Sequence, residues 1–304
     1  MPATEPLCIA WLRDGRAGHE NQARGLLQAL AARCPCQWRD WRTGSEPLGR
    51  WLRREGPFHL ALAAGSSTHL PLARAALHGL RTVLLMRPPF PYGLARRFYH
   101  RMIVPRHDDP PPPPEVLATH GAINAIRPGA VRPGTGLVLL GGPSAHVHWD
   151  DEYQVRQVQT LLQRDPQRHW RLADSPRTPV ITRRALARLA GERVHYCPWD
   201  DGPPGWLART LPEQERVWVS ADSVSMVYEA LSTTAQVGLL PVDWRKASRL
   251  ASGLEVLVEQ GWVLPLPRWL AGEVFAERPV LAEADRAAHW LLVSGLLPEW
   301  ASCG

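Results

Sequence analysis

Residues 7–33 read LCIAWLRDGRAGHENQARGLLQALAAR. The segment opens on an unbroken apolar run, Leu7–Leu12, crosses small and polar residues from Asp14 to Gln22, and continues as an amphipathic helix pattern from Glu20 to Arg33. A short, wholly apolar run is what a strand buried on both faces looks like, and such strands belong to parallel sheets with helices on each side. The cycle repeats. His59–Ala64, Thr82–Met86 and Met102–Val104 are further apolar runs, with a helix pattern after Ser66. A proline run at Asp109–Pro114 and the Pro-Gly pairs of residues 127–136 interrupt it, and the latter read as a domain linker. Then Leu137–Leu140 runs into Gly141-Gly142, and Asp151–Gln163 reads as a helix. Strand patterns at Trp170–Ala173, Val194–Cys197, Val217–Ser220 and Ala235–Leu240 alternate with helix patterns at Arg183–Leu189, Ser223–Leu231 and Lys246–Gln260. A last helix is placed at Glu283–Ser294. This order predicts an α/β protein of two Rossmann-like parallel-sheet domains facing a cleft, residues 1–133 and 134–304, with the last helix able to pack back on the first domain.

Composition narrows the chemistry. The length of 304 residues suits two domains, and 45% hydrophobic with 21% charged residues is an ordinary globular mixture. Of the 35 basic residues only Lys246 is a lysine. It follows Arg245, so no Gly-Lys-Ser/Thr phosphate loop exists, and Val242 stands where a Tyr-x-x-x-Lys pair would need tyrosine. The 5 cysteines lack any C-x-x-C spacing, which disfavours both a disulfide framework and a zinc site and points to a reducing compartment. No D-x-D motif occurs, which disfavours a metal-dependent fold, and neither a metal nor a cofactor is expected. The N-terminus does not read as a signal peptide, and no run is long enough to span a bilayer. Charge is uneven: residues 1–133 carry 18 basic and 9 acidic side chains, net +9, against 17 and 20, net −3, in the remainder.

In open parallel sheets ligands bind beyond the carboxyl ends of the strands, so the loops that follow strands are the ones to read. The first is Asp14-Gly-Arg-Ala-Gly-His-Glu-Asn-Gln22. Gly15 and Gly18 let backbone approach a ligand, while His19, Glu20, Asn21 and Gln22 bring polar groups to a helix start. His19 has the setting of a general base. The second, Gly141-Gly-Pro-Ser-Ala-His-Val-His148, can present backbone N–H groups to an anion through Gly141, Gly142 and Ser144. The third, Asp174-Ser-Pro-Arg-Thr-Pro179, offers Ser175, Arg177 and Thr178 as phosphate-type donors. In the fourth, Ser220–Ala230, Asp222 or Ser223 caps a helix on which Ser225 and Glu229 share a face. Each also has a plain structural reading as a capped turn. For Gly65-Ser-Ser-Thr-His69 the helix cap is the preferred reading.

Taken together, DGRAGHENQ (14–22), LLMRPPFP (84–91), GAINAIRP (121–128), GGPSAHVHWD (141–150), DSPRTP (174–179) and ADSVSMVYEA (221–230) resemble the mitochondrial-fission family described from plants. Its bacterial members are labelled nucleoside-diphosphate-sugar epimerases or glycosyltransferases. Two departures stand out: Ser-Pro-Arg at 175–177 where the family has Ser-Arg-Arg, and Gly-Ser-Ser at 65–67 where it tends to a basic residue. The resemblance implies the GT-B fold and a metal-independent glycosyltransferase that takes a nucleotide sugar as co-substrate and a cell-envelope or lipid-linked acceptor. It implies His19 as the base with Asp14 or Glu20 as partner or substitute, and Gly15, Gly18, Asn21 and Gln22 on the acceptor side. Gly141, Gly142, Ser144, Ser175, Arg177 and Thr178 would hold the pyrophosphate, and Asp222, Ser223, Ser225 and Glu229 the nucleoside side. A non-hydrolysing nucleotide-sugar 2-epimerase and a non-catalytic recruiting scaffold are the alternatives. The aromatics of Pro88–Met102 lie among Arg87, Arg96, Arg97 and Arg101. With the first domain's charge they predict a cytoplasmic protein peripheral on the inner face of an anionic membrane, rather than one that binds nucleic acid.

Overall fold

The computed structural model describes residues 5–203, 205–246 and 249–303. The chain divides into two compact units, Met1–Ala125 with Ala282–Gly304, and Ile126–Leu281.

The first unit holds a wholly parallel sheet of β1 (Leu7–Arg13), β2 (Cys36–Arg42), β3 (Leu60–Ala64), β4 (Arg81–Leu85), β5 (Arg101–Pro105) and β6 (Val116–Thr119). The order is β2-β1-β3-β4-β5-β6. Strand alternation sends side chains to opposite faces, and each face has its own core. Leu7, Ile9, Leu60 and Leu62 point to the layer that contains α1 (Ala17–Ala31). Ala10, Leu12, Ala61 and Ala63 point to the layer of α2 (Leu48–Glu55), α3 (His69–Leu77) and α4 (Tyr92–Ala95). β2 had no strand signal, because CQWRDWR is an exposed edge in which only Trp41 is buried. Its register against β1, Leu7 opposite Cys36 through Arg13 opposite Arg42, makes it a strand. The last helix, Glu283–Val293, places Ala284, Ala287, Ala288, Leu291 and Leu292 in the core shared with Ala23, Leu26, Leu27 and Leu30 of α1.

The second unit repeats the design with β7 (Arg132–Leu139), β9 (His169–Ala173), β10 (Val194–Cys197), β11 (Gln214–Ser220), β12 (Gln236–Leu240) and β14 (Leu264–Pro265), in the order β10-β9-β7-β11-β12-β14. β8 (Val147–His148) and β13 (Asp243–Trp244) form a separate antiparallel pair. Leu137, Leu139, Val217 and Val219 face one core, while Val138, Leu140 and Trp218 face the other. The helices are α5 (Asp151–Arg164), α6 (Val180–Arg188), α7 (Trp206–Thr210), α8 (Val224–Leu231), α9 (Arg249–Glu259) and α10 (Leu266–Leu270), and Glu283–Val293 is α11. The proline-glycine residues 127–136 fall within this unit, and β7 begins among them at Arg132. Two parallel six-stranded sheets, each covered by helices on both faces, are the two Rossmann-like domains that the alternating pattern called for.

One expectation is corrected here. The aromatics of 88–102 are not a membrane-facing set: Phe90 stacks on Tyr99 at 5.9 Å and meets Phe98 edge-on at 6.1 Å, within the α2–α4 core. Apolar rings take the larger gain from core burial, while Arg87, Arg96 and Arg97 stay exposed and Arg101 is half-buried.

Candidate functional site

The loop after β1 turns at Gly15, with φ of 82°, and enters α1. This brings His19, in the first turn, back over Asp14. His19 Nδ1 lies 2.6 Å from Asp14 Oδ2. Asp14 also accepts from the Arg16 amide at 3.0 Å and from Ser67 Oγ at 3.4 Å. Its side chain is only 2% exposed, against 19% for His19. Burial pushes the Asp14 carboxyl up, but the Arg16 amide, His19 and Ser67 together hold it below the ordinary carboxylate value. An ionised carboxylate on Nδ1 fixes the imidazole orientation and leaves Nε2 as the nitrogen that can take a proton. His69, buried at the head of α3, is shifted the other way, down, by burial and then by His19.

Gly65 completes this arrangement while also starting the short helix Ser66–Thr68, the cap that its sequence pattern favours. Its φ is 101°, and a Cβ built on it would overlap both His19 Nδ1 and Asp14 Oδ2. The loop after β3 therefore packs its backbone directly against the dyad. Glu20 is not the partner of His19. It forms a two-pronged pair with Arg13, Oε1 to Nε at 3.0 Å and Oε2 to Nη2 at 2.7 Å, because one step along a helix rotates the side chain away from its neighbour's face. Asn21 accepts from the Ala125 amide at 3.4 Å. Gln22 is half-buried in α1, and Gly18 is exposed with open space around it.

In the second unit the centre of the site is Asp222. Its side chain is fully buried. It accepts from Gly142 N at 2.9 Å, Ser220 Oγ at 2.6 Å and Arg177 Nη2 at 2.8 Å. Ser223 is the cap residue of α8, with no side-chain bond to the helix amides. Arg177 donates further to Gly142 O at 2.8 Å. Ser175 Oγ donates to Gly141 O at 2.9 Å, and Thr178 Oγ1 donates to the same carbonyl. Ser144 Oγ accepts from the His146 amide at 3.2 Å. A Cβ on Gly141 would overlap Asp222, and one on Gly142 would overlap the Arg177 backbone. The loops after β7, β9 and β11 are thus brought together, but mostly by bonding one another. Ser225 is exposed and Glu229 half-buried on α8.

Next to this cluster, Asp174 is buried and accepts from Tyr196 Oη at 2.6 Å, the Trp199 amide at 2.7 Å and Arg183 Nε at 2.7 Å. Burial and then the Asp174 bond push the Tyr196 hydroxyl up to about 12. All five cysteines are free. Burial drives Cys34 to about 11 and Cys36 to about 12, which makes them poor nucleophiles. Among the described residues no group of three or more His, Cys, Asp or Glu is placed to hold a metal ion.

A family model, mitochondrial fission ELM1, matches residues 17–294. The chain belongs to the mitochondrial fission ELM1 family. No curated protein matches it by sequence. Among solved structures, this ELM1-family chain is similar to the UDP-GlcNAc 2-epimerase of Methanocaldococcus jannaschii, with TM-score 0.60, 10% identity, 93% of this chain and 99% of that one covered. A second structure of that protein, in complex with UDP-GlcNAc and UDP, gives TM-score 0.52, 10% identity and coverage of 94% and 99%. The glycosyltransferase SnogD from Streptomyces nogalater gives TM-score 0.51, 13% identity and coverage of 97% and 96%. At such identities the likeness establishes the fold that the family resemblance implied.

Proposed function

We propose that this ELM1-family protein is a metal-independent glycosyltransferase using a nucleotide-sugar donor. The observation that carries the reading is the Asp14–His19 dyad at the carboxyl end of β1. A histidine held by a buried carboxylate is the arrangement of a general base for an acceptor hydroxyl. His19 Nε2 accepts the hydroxyl proton, Asp14 stabilises the resulting imidazolium, and the acceptor oxygen displaces the nucleoside diphosphate from the sugar. The second unit holds the donor, its Gly141–Gly142 backbone and Ser175–Thr178 loop lying towards the diphosphate and α8, with Ser225 and Glu229, towards the nucleoside. The fold shared with a protein solved in complex with UDP-GlcNAc and UDP supports a uridine diphosphate sugar as the first donor to try.

A nucleotide-sugar 2-epimerase is the second reading, favoured by the TM-score of 0.60 to an enzyme so named. Incubating the purified protein with UDP-sugars alone, then with acceptor lipids, separates the two. Transfer only when acceptor is present is the expected result. Conversion of UDP-GlcNAc alone supports the epimerase, and neither reaction with any of several donors overturns both.

We further propose that the acceptor is reached at an anionic membrane surface. No helix among the described residues is long and apolar enough to cross a membrane. The segment from α2 to just past α4 instead exposes Leu70 by 60%, Leu77 by 78% and Leu94 by 46%, and also Arg50, Arg53, Arg74, Arg87 and Arg97. Leucines that insert shallowly among arginines that meet phosphate headgroups give reversible, salt-sensitive attachment. Sedimentation with anionic vesicles at low salt, lost at high salt or with neutral vesicles, is the expected result. No sedimentation at low salt overturns this part.

A further inference from the structure

The loop after β12 holds a residue that the motif reading passed over. In sheet order β7 and β12 flank β11. The loops that follow them, 141–150 and 241–246, pair with each other through β8 and β13, His148 opposite Asp243 and Val147 opposite Trp244. The pair thereby forms a strap joining the two loops on either side of β11, the strand that leads to Asp222 and α8. Arg245 is the next residue. Its amide donates to His146 O at 2.9 Å and its Nε to Val147 O at 3.4 Å, which lays the guanidinium against the glycine-bearing loop. Arg245 is exposed, and its hydrogen bonds run to the backbone carbonyls of His146 and Val147 rather than to a carboxylate. Lys246, also exposed, follows it; the mostly apolar cavity of about 510 Å³ behind the strap, lined by Val242, Trp244, Leu254, Glu255 and Glu259, is reached by neither cation and is no part of the phosphate contact.

Arg177, by contrast, has its guanidinium on the Asp222 carboxylate and two backbone carbonyls. Its charge is already balanced. A diphosphate leaving group needs cationic donors that are not neutralised beforehand, and a guanidinium meets its oxygens two at a time. We propose that Arg245, with Lys246 beside it, makes the charged contact to the donor diphosphate, while Arg177 fastens the glycine loop to Asp222. This assignment rests on the reading that the second unit binds a nucleoside diphosphate.

Calorimetry with UDP, uridine and inorganic pyrophosphate, on the full-length protein and on Arg245→Gln, Arg245→Lys and Arg177→Gln, tests it. Arg245→Gln should weaken UDP by about ten- to a hundredfold, the weight of one charged hydrogen bond. It should leave uridine unchanged and flatten the salt dependence, and Arg245→Lys should recover part of the loss. Arg177→Gln should lower the thermal midpoint, which Arg245→Gln should not. Unchanged UDP affinity in an Arg245→Gln protein with wild-type melting overturns the assignment and leaves the donor reading standing. A wild-type protein that binds neither UDP nor any other nucleoside diphosphate overturns both.

Discussion

The two units present loops at the same place in the same kind of sheet, yet the loops are built differently. In the first unit, Asp14 gathers an amide, a hydroxyl and an imidazole, and the imidazole keeps its second nitrogen beyond those contacts. In the second, Asp222 gathers an amide, a hydroxyl and a guanidinium, and the guanidinium's other bonds return to the loop backbone. One buried carboxylate orients an imidazole, and the other holds loops together. A buried aspartate at a strand end therefore cannot be assigned a role from its position. The role follows from whether the group it grips has an atom left to offer.

That contrast is broken most forcefully at His19. His19→Gln should cut turnover by two to four orders of magnitude, about 3–5 kcal/mol of transition-state stabilisation, with donor affinity unchanged. Steady-state kinetics beside calorimetry checks it, and normal turnover would remove the dyad from the chemistry. Asp222→Ala should do the opposite. It leaves the buried Gly142 amide and Ser220 hydroxyl without an acceptor and should lower stability by about 3 kcal/mol, read as a fall in denaturation midpoint. If the Asp222 variant melts like wild type, the second loop cluster is not held as described.

The smallest effect sharpens the comparison within the first unit. Gly65→Ala forces a Cβ into His19 and Asp14 at a positive φ and should lose about 1–2 kcal/mol of stability, with turnover falling in step. Gly18→Ala, in the same loop as the dyad but facing open space, should be neutral or slightly stabilising. Equal behaviour of the two alanines, by thermal melts and rate assays, would mean that Gly65 does not shape the dyad. The acid limb adds a sign. Asp14 is held below its ordinary value, so its contribution is present above that value and is lost as pH falls through the lower, folded one. Asp14→Asn should abolish that part of the acid destabilisation.

The residues that a local pattern marks were legible, and those marked only by a neighbour were not. Leu7–Leu12 and His59–Ala64 announce buried strands by their own composition, while β2 is a strand only because β1 lies beside it. The four polar loops were legible because glycines and small polar residues have no place in a buried strand. Which side chains in them bond one another was not. Glu20 and Asp14 both stand near His19 in sequence, and Arg13 takes Glu20 away. Arg177 reads as a phosphate-type donor, and its bond to Asp222, 45 residues later, lies beyond any local pattern. Arg245 carried no motif, and its place on the glycine loop depends on the β8–β13 pairing.

By itself the sequence determined the alternation of buried strands and amphipathic helices, the α/β class and the family, because these rest on residue types at short spacing. The tertiary structure alone decided that β2 is a strand, that Gly65 presses on the His19–Asp14 pair, and that Asp222 closes the second cluster. The physical reason is one of range. Hydrophobic periodicity acts over a few residues, whereas a hydrogen bond between loops depends on strand order and register, which are set by chain segments far apart in sequence.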